Sequence, residues 1–372
     1  MSTKHGTGIV LGQMISCTTG RLLALSRNSR TVVDIGPHIM RLLETTVCPQ
    51  SGYVRFERVE GGMINTLYRI TYIDKIFYAK IASAPAATRL RYVPYGYLPL
   101  LTPDRLSVEA QALRIMSGIL PAGMVPTVIF YDKDTGLLLM SDVAGADGIC
   151  LEDVFPNRIN ERITVTLARA VASIATAQGI PAALRGEDES RARAAKMKYG
   201  YLFPCLSLVG DNIILRAQIR QFYKTTILYA NALSHGDFHT RNIIVRADDT
   251  IAVVDLEESM LHDPAYDIAV LAACYVIWSL RQQKLARACG DLLHVLLEEF
   301  RASLGLAEKD ESWTNMQYRI NHYIAGAVIG RATGIARWWT VDETTLGRIR
   351  TVALELLKSP RRATIAVLEE IV

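Results

Sequence analysis

The sequence predicts an α+β protein of two lobes, in which an antiparallel sheet with one helix precedes a mostly helical C-terminal lobe. Short apolar runs separated by turn residues fill the first third of the chain, a pattern typical of strands. The chain after Asp263 has helical character, and its apolar run 268–278 is too short to cross a bilayer, which indicates a buried helix. The length of 372 residues suits two lobes with a large core. We expect an N-terminal extension at residues 1–35, an N-terminal lobe at 36–142 and a C-terminal lobe at 143–372.

Three strands are predicted around a glycine turn in the N-terminal lobe. Residues 53–60 and 67–73 lie on either side of EGGMINT, and residues 77–81 form a third run. Gly62 permits a tight turn whose backbone can approach a phosphate, although a Gly-Gly hairpin is more often a simple turn. Asn65 closes the same turn. The segment is therefore a candidate nucleotide-binding hairpin.

Lys80 lies among apolar residues of the third predicted strand, in FYAKIA. A buried ammonium needs a partner, because leaving it unpaired costs several kcal/mol. Thr102-Pro103 is a favourable helix start, and Glu109 falls in the second turn of the helix that follows. Most glutamates on helices are simply solvated, but the order of strand lysine and helix glutamate favours a pair between Lys80 and Glu109.

The most informative motif is LSHGDFHTRNIIV, followed closely by IAVVDLEESMLHDPAYDI. Two short strands, 243–245 and 251–254, form a hairpin that returns Asp255 to a position beside Asn242. Phosphoryl transfer requires such a set: a carboxylate such as Asp237 for the proton of the attacking hydroxyl, and an amide oxygen and a second carboxylate for Mg²⁺. Either motif alone arises by chance, but both at hairpin distance indicate an enzyme that transfers phosphate.

HGDFHTRN, VVDLE and DPAYDIA resemble the aminoglycoside phosphotransferase and choline kinase superfamily, which shares the protein-kinase fold. The resemblance implies that Asp237 is the catalytic base and that Asn242 and Asp255 are metal ligands. It also implies that Asp267 is a structural residue that braces the catalytic loop. We interpret His235 as structural too, because a histidine two residues before the base more often fixes the loop backbone.

The same resemblance extends to the nucleotide site. Lys80 would contact the α and β phosphates, with Glu109 as its ion-pair partner. A hairpin with the turn DKDTG leads into the segment from Met140 to Val143, which would be the hinge whose backbone meets the adenine edge. Backbone recognition leaves no side-chain signature, so ATP and GTP are both compatible donors, with Mg²⁺ as the cofactor. Ile64 stands where the family usually has a serine.

Some segments are similar to methylthioribose kinases in particular. These are residues 78–113, the motif HGDFHT, the Asp-x-Glu that begins at Asp255, and the late element R-x-x-G-x-A at Arg331. In that family the glutamate of Asp-x-Glu helps to bind metal, which here is Glu257, and paired arginines meet the sugar. This chain departs from the pattern, because Asn242 is present where that family typically lacks asparagine and Gly330 replaces the first arginine.

Two groups are candidates for contact with the phosphate acceptor. The acidic set Glu257, Glu258, His262 and Asp263 would suit a substrate that carries an amine. Arg331 and Trp338 form the other group, for which the alternative is a packed helix with tryptophan in the core or at its edge. We therefore expect the acceptor to be the hydroxyl of a sugar, an amino sugar or an amino alcohol.

Composition excludes several other classes. The net charge of +4 and the lack of a basic run with interleaved aromatics argue against nucleic acid as a partner. Six scattered cysteines without a C-x-x-C pair indicate a reduced, cytoplasmic protein, and neither a signal peptide nor a membrane span is predicted. Residues 1–35 are open to interpretation as an added hairpin, a homodimer contact or a tail.

Alternative functions are an antibiotic-inactivating kinase of the aminoglycoside type, or a catalytically silent nucleotide-binding scaffold on the same fold. Silent members typically lose one of the key side chains, whereas Lys80, Asp237, Asn242 and Asp255 are all present. A protein kinase is disfavoured, because DLEESMLHDPAYD leaves no room for an activation segment.

Overall fold

The structure is a computed structural model. The residues it describes are 23–25, 32–34, 36–46, 54–59, 65–82, 105–155, 157–180, 184, 197–333 and 341–371. The predictions for Gly62, Trp338 and most of segment 1–35 lie outside these residues.

The N-terminal part consists of a strand pair, a helix, and a five-stranded sheet with a second helix between its third and fourth strands in chain order. In chain order these are β1 Leu23–Leu25, β2 Val32–Asp34, α1 Gly36–Thr46, β3 Val54–Val59, β4 Thr66–Tyr72, β5 Lys75–Ile81, α2 Arg105–Ile119, β6 Val128–Asp132 and β7 Leu137–Ser141. The sheet is antiparallel throughout, in the order β3-β4-β5-β7-β6. The strands expected from the apolar runs are therefore present, with ends displaced by one or two residues.

Alternation along the strands divides the sheet into two faces. Leu137 and Leu139 pack with Ile39 and Leu43 of α1 in a small core on one face. Leu138 belongs to the main core on the other face, which includes the apolar side chains of α2. Lys80 pairs with Leu138 in the sheet. The residues on either side of Lys80 in β5 have their side chains in the small core. The strand therefore directs its lysine toward α2.

The C-terminal part is mostly helical, and its strands are all three residues long or shorter. In chain order its elements are β8 Ile149–Cys150, α3 Leu151–Val154, α4 Glu161–Ala175, α5 Phe203–Leu208, α6 Ile213–Thr225, β9 Ala232–Ser234, β10 Ile243–Val245, β11 Ile251–Val253, β12 Met260–His262, α7 Ala265–Arg281, α8 Ala286–Ser303, α9 Glu311–Thr333, α10 Glu343–Lys358 and α11 Thr364–Glu369. Short helical turns cover Met197–Leu202, Thr226–Tyr229, Thr240–Asn242 and Gln283–Leu285. The predicted α+β fold class is confirmed.

Helix α7 is the centre of the helical part. All but its last residue are buried, as expected for the apolar run 268–278, and α8 and α9 pack against it. In the part of the chain that the structure describes, no helix is long and apolar enough to cross a membrane. Because α7 begins directly after β12, its first turn lies beside the short strands that carry the site.

Two small sheets hold the motif segments. Strand β10 pairs with β11 in the predicted hairpin, and β8 joins the other edge of β10. Strand β9, which leads into HGDFHTRN, pairs with β12, which follows DLEES. Sequence analysis did not find β8, β9 or β12, because two or three residues are too few to show a period of two. These pairs bring the two motifs side by side.

Candidate active site

Asp267, in the first turn of α7, holds the start of residues 234–242, the predicted catalytic loop. Its Oδ2 accepts a hydrogen bond from the backbone N–H of His235 at 2.6 Å. Its Oδ1 accepts from Ser234 Oγ at 2.9 Å and from the N–H of Gly236 at 3.1 Å. Burial raises the pKa of the Asp267 carboxyl, and the neighbouring His235 and these donors act against that rise. One carboxylate thereby fixes three groups of the loop, which is the contact expected for a bracing residue.

Gly236 allows the loop to make a turn that no other residue would accept. Its φ is +83°, in the left-handed region that favours glycine. A Cβ at this position would overlap the backbone carbonyl of Glu258. The catalytic loop and the segment after Asp255 are therefore in direct backbone contact.

His235 links the loop to the strand that leads to Asp255. Its Nδ1 accepts a hydrogen bond from the N–H of Asp237 at 3.2 Å, so Nε2 carries the proton and donates to the carbonyl of Val254 at 3.1 Å. The ring is completely buried. This position supports the structural interpretation of His235.

Asp237 is oriented by a second histidine, which sequence analysis did not single out. His239 Nε2 lies 3.0 Å from Asp237 Oδ2, while His239 Nδ1 accepts from the N–H of Arg241 at 3.1 Å. The donor into Nδ1 places the ring proton on Nε2, which therefore donates to the carboxylate. Burial lowers the pKa of His239 although the Asp237 carboxylate acts in the opposite direction, which favours the neutral ring.

Asn242 is held in the same loop. Its Nδ2 donates to the carbonyl of Asp237 at 3.0 Å, and its own carbonyl accepts from the N–H of Val254 at 3.0 Å. The amide nitrogen is thus used inside the loop, and the amide oxygen is the atom whose chemistry suits a metal. Asn242 as a metal ligand stays a prediction.

Lys80 Nζ connects two carboxylates. It lies 2.8 and 2.9 Å from the two oxygens of Glu109 and 2.6 Å from Asp255 Oδ1. Burial alone would lower the pKa of Lys80, but Asp255 and Glu109 raise it above its ordinary value. Burial acts to raise the pKa of Asp255, yet the ammonium of Lys80 holds it below its ordinary value. Lys80 therefore carries its charge at the junction of sheet, helix and motif.

Asp255 turns the chain sharply after β11. Its φ is +66°, a conformation that L-residues other than asparagine and aspartate seldom adopt. Its side chain is 42 % exposed, so it contacts Lys80 while remaining accessible to solvent.

Glu257 joins three segments. Its Oε2 accepts a hydrogen bond from Asn65 Nδ2, and its Oε1 lies 3.1 Å from a guanidinium nitrogen of Arg105. The same nitrogen is 2.9 Å from Glu258 Oε1. Burial and the neighbouring Asp255 raise the pKa of Glu257 to about 7, although Arg105 lowers it. The sequence predicted no role for Arg105, because no local pattern links it to Glu258, 153 positions later in the chain.

The carboxylates suit a hard divalent cation. Oxygens of Glu109, Asp255 and Glu257 lie within 4.8 Å of one another. Oxygen donors are those that Mg²⁺ prefers, and four carboxylates, including Glu258, lie against the two cations Lys80 and Arg105 in the contacts of the described residues. The residues present therefore fit the expected ion. Sequence analysis did not place Glu109 in this set, because it assigned that side chain to Lys80 alone.

The expected hinge, Met140 to Val143, covers the last two residues of β7 and the two residues after it. Met140 pairs with Tyr78 in the sheet, and both Met140 and Val143 are buried. The carbonyl of Val143 accepts from Arg246 Nε at 2.9 Å, a contact that the sequence did not predict. Arg246 thus ties the β10–β11 turn to the hinge segment. The role of Met140 and Val143 at the adenine edge stays a prediction.

The residues proposed for the acceptor differ in their accessibility. Glu258 is partly exposed, whereas Arg331 is buried and donates to the carbonyl of Val270 at 3.0 Å. Asp263 is buried, with Oδ2 2.9 Å from Arg319 Nε and 3.2 Å from the hydroxyl of Tyr323. This geometry favours a structural role for Asp263 rather than the substrate contact that the acidic set suggested.

Several known structures are similar to this chain at low sequence identity. Choline kinase from Cryptosporidium parvum Iowa II has 12% identity and a TM-score of 0.53, with 90% of this chain and 99% of that chain covered. Plasmodium vivax ethanolamine kinase has 14% identity, 83% and 84% coverage and a TM-score of 0.49. For macrolide 2'-phosphotransferase from Brachybacterium faecium the identity is 14%, the coverage 89% and 97% and the TM-score 0.48.

A search of curated proteins found no match. The family model for the APH phosphotransferase enzyme family matches residues 55–303, which is well over half of the chain and includes all the motif residues between Lys80 and Asp267. The chain therefore belongs to the APH phosphotransferase enzyme family.

Proposed function

We propose that this phosphotransferase moves the γ-phosphoryl group of a Mg²⁺-bound nucleotide to a hydroxyl of a small molecule. The observation that carries the proposal is the position of Lys80, whose ammonium contacts Asp255 at 2.6 Å while Glu109 holds it from the other side. A fixed cation at the end of β11 is suited to the phosphates of a nucleotide.

Asp237 is the base in this proposal. Its carboxylate is 27 % exposed, so an acceptor hydroxyl can approach it, and His239 holds one of its oxygens at 3.0 Å. The backbone around it is fixed by Asp267 and by the ring of His235. A base that is already oriented accepts a proton with little rearrangement, which is the positioning that this reaction needs.

Asp255, Glu257 and the amide oxygen of Asn242 would hold Mg²⁺. The ion would neutralise charge that develops on the phosphates. The excess of carboxylates over cations around Lys80 and Arg105 supports this assignment. ATP is the expected donor and GTP an alternative.

The acceptor belongs to the sugars, amino sugars and amino alcohols. Glu258 favours the amine-bearing members, because its carboxylate is partly exposed. It also lies close to the loop that carries Asp237, since Glu258 and Gly236 are in contact. Arg331 is buried and donates to the carbonyl of Val270, so its position favours no particular member of the class. The preference among these acceptors therefore rests on Glu258.

The test is release of ADP or GDP in the presence of Mg²⁺ with a panel of sugars, amino sugars and amino alcohols. We expect turnover on one class and none above background with Asp237→Asn. Asp134→Asn, a change of the same kind in an exposed turn, is the matched control and should retain full activity. Equal turnover by Asp237→Asn and the wild type would contradict the proposal.

A further inference from the structure

Arg105 occupies the first turn of α2, one helical turn before Glu109. Residues four apart share a helix face, so the two side chains point to the same side of α2. Glu109 reaches Lys80, whereas Arg105 reaches the two glutamates that follow Asp255. Helix α2 thus carries one charge of each sign into the site, and each has an oppositely charged partner there.

The environment of the Arg105 guanidinium is not the most favourable one for stability. Only 8 % of the side chain is exposed. One terminal nitrogen serves both Glu257 and Glu258, while the other, Nη1, is buried and has no hydrogen-bond partner among the residues described. Buried donors in native proteins are nearly always paired, because one left unpaired destabilises the fold. The position of this arginine therefore calls for a functional explanation.

Glu257 shows what the arginine does. One carboxylate oxygen faces Arg105 and the other accepts from Asn65, which directly precedes β4. The same carboxylate lies in the group with Asp255 and Glu109 that fits a divalent cation. Arg105 therefore opposes the repulsion between Glu257, Glu258 and Asp255 from α2, while Lys80 opposes it from β5 through its contact with Asp255.

We propose that Arg105 is a positioning residue that holds Glu257 beside Asp255 and Asn65, and so couples helix α2 and the start of β4 to the metal-binding end of β11. The inference rests on the proposed function, since it gives Glu257 its role with the Mg²⁺-nucleotide. Arg105 itself acts through Glu257. It contacts neither phosphate nor acceptor.

The experiment compares nucleotide affinity with Mg²⁺ and with EDTA by calorimetry. Arg105→Gln should weaken Mg²⁺-nucleotide binding about 10-fold or more, as is typical when a residue that orients a metal ligand is removed, and leave the affinity in EDTA nearly unchanged. Arg114→Gln, an exposed arginine of the same helix, is the matched control and should alter neither. A uniform loss in both conditions, or no change in the Mg²⁺ effect, would overturn the proposal.

A double-mutant cycle separates this inference from the proposed function. If Arg105 acts through Glu257, the variant Arg105→Gln with Glu257→Gln should bind the Mg²⁺-nucleotide no more weakly than Glu257→Gln alone. If the wild type binds no nucleotide, the proposed function fails, and the same four proteins are compared by urea unfolding. Coupling between the two positions would then support the holding contact, and strictly additive effects would overturn it.

Discussion

Lys80 Nζ lies 2.6 Å from Asp255 Oδ1, which joins the third strand of the N-terminal sheet to the end of the β10–β11 hairpin. The two residues are 175 positions apart in the chain. Glu109 holds the same ammonium from α2, so the strand, the helix and the catalytic segment meet at one charge. We expect this junction to serve nucleotide binding and the loop that carries Asp237 to serve the chemistry.

Removal of Lys80 should destabilise the fold as well as weaken nucleotide binding. Lys80→Met leaves the buried carboxylate of Glu109 without its ammonium, and breaking a buried pair in this way costs about 3–5 kcal/mol. Urea unfolding measures the loss. The double variant Lys80→Met with Glu109→Leu should recover much of the stability but not the nucleotide affinity, because it removes the unpaired charge without restoring the cation. Equal stability of Lys80→Met and the wild type would contradict the pair.

His239 should influence turnover without influencing nucleotide binding. His239→Ala removes the donor to Asp237 Oδ2, and a less well oriented base should lower kcat by about 10- to 100-fold. His239→Gln keeps an N–H donor and should retain more activity. Steady-state kinetics and nucleotide titration separate the effects, and a change confined to nucleotide affinity would show that His239 acts elsewhere.

Gly236→Ala should disable the catalytic loop. The positive φ and the overlap of a new Cβ with the Glu258 carbonyl require the loop to move, and strain of this kind costs about 1–3 kcal/mol. Gly290→Ala is the control, because nothing lies within 4 Å of its added Cβ and it is in a helix. That change should stabilise the protein slightly. Thermal melts and activity of both variants check the contrast, which would fail if Gly236→Ala kept normal turnover.

Stability should fall in mild acid through His322. Burial lowers its pKa to about 4, from an ordinary value of 6.5. Between these values the unfolded chain binds a proton that the folded chain does not, so stability is lost as the pH falls below about 6.5. From pH 7 to pH 5 this group should contribute a loss of about 2 kcal/mol.

The check is urea unfolding of the wild type and His322→Gln at both pH values. The glutamine keeps an N–H for the carbonyl of Tyr318, which His322 Nδ1 contacts at 2.9 Å, but does not titrate. The wild type should therefore lose about 2 kcal/mol more than the variant between pH 7 and pH 5. Identical losses would show that His322 does not titrate as described.

Much of the site could be predicted from the sequence, because a buried charged side chain needs an oppositely charged partner. Lys80 sat in an apolar strand, and one helix glutamate followed at a suitable place, so the ion pair could be anticipated. The hairpin that brings Asp255 toward Asn242 could be predicted for a different reason. Two apolar runs on either side of a short turn are expected to pair with each other.

What could not be predicted depends on contacts between distant segments. Arg105 and Arg246 bind groups more than 100 residues away, and neither leaves a local pattern. Asp263 looked available to a substrate because it follows two glutamates and a histidine. In the fold β12 carries it inward, where Arg319 pairs with it. His239 was overlooked because its role is defined by the side chain of Asp237, two residues earlier.

In the proposed function Asp237 serves the chemistry, while the Lys80 junction serves nucleotide binding. The most direct measurement is kcat and nucleotide Kd for Asp237→Asn with Mg²⁺ and an accepted substrate. We predict that kcat falls by about three orders of magnitude or more while the Kd stays within about threefold of the wild-type value. Near-normal turnover by Asp237→Asn would show that Asp237 is not the base.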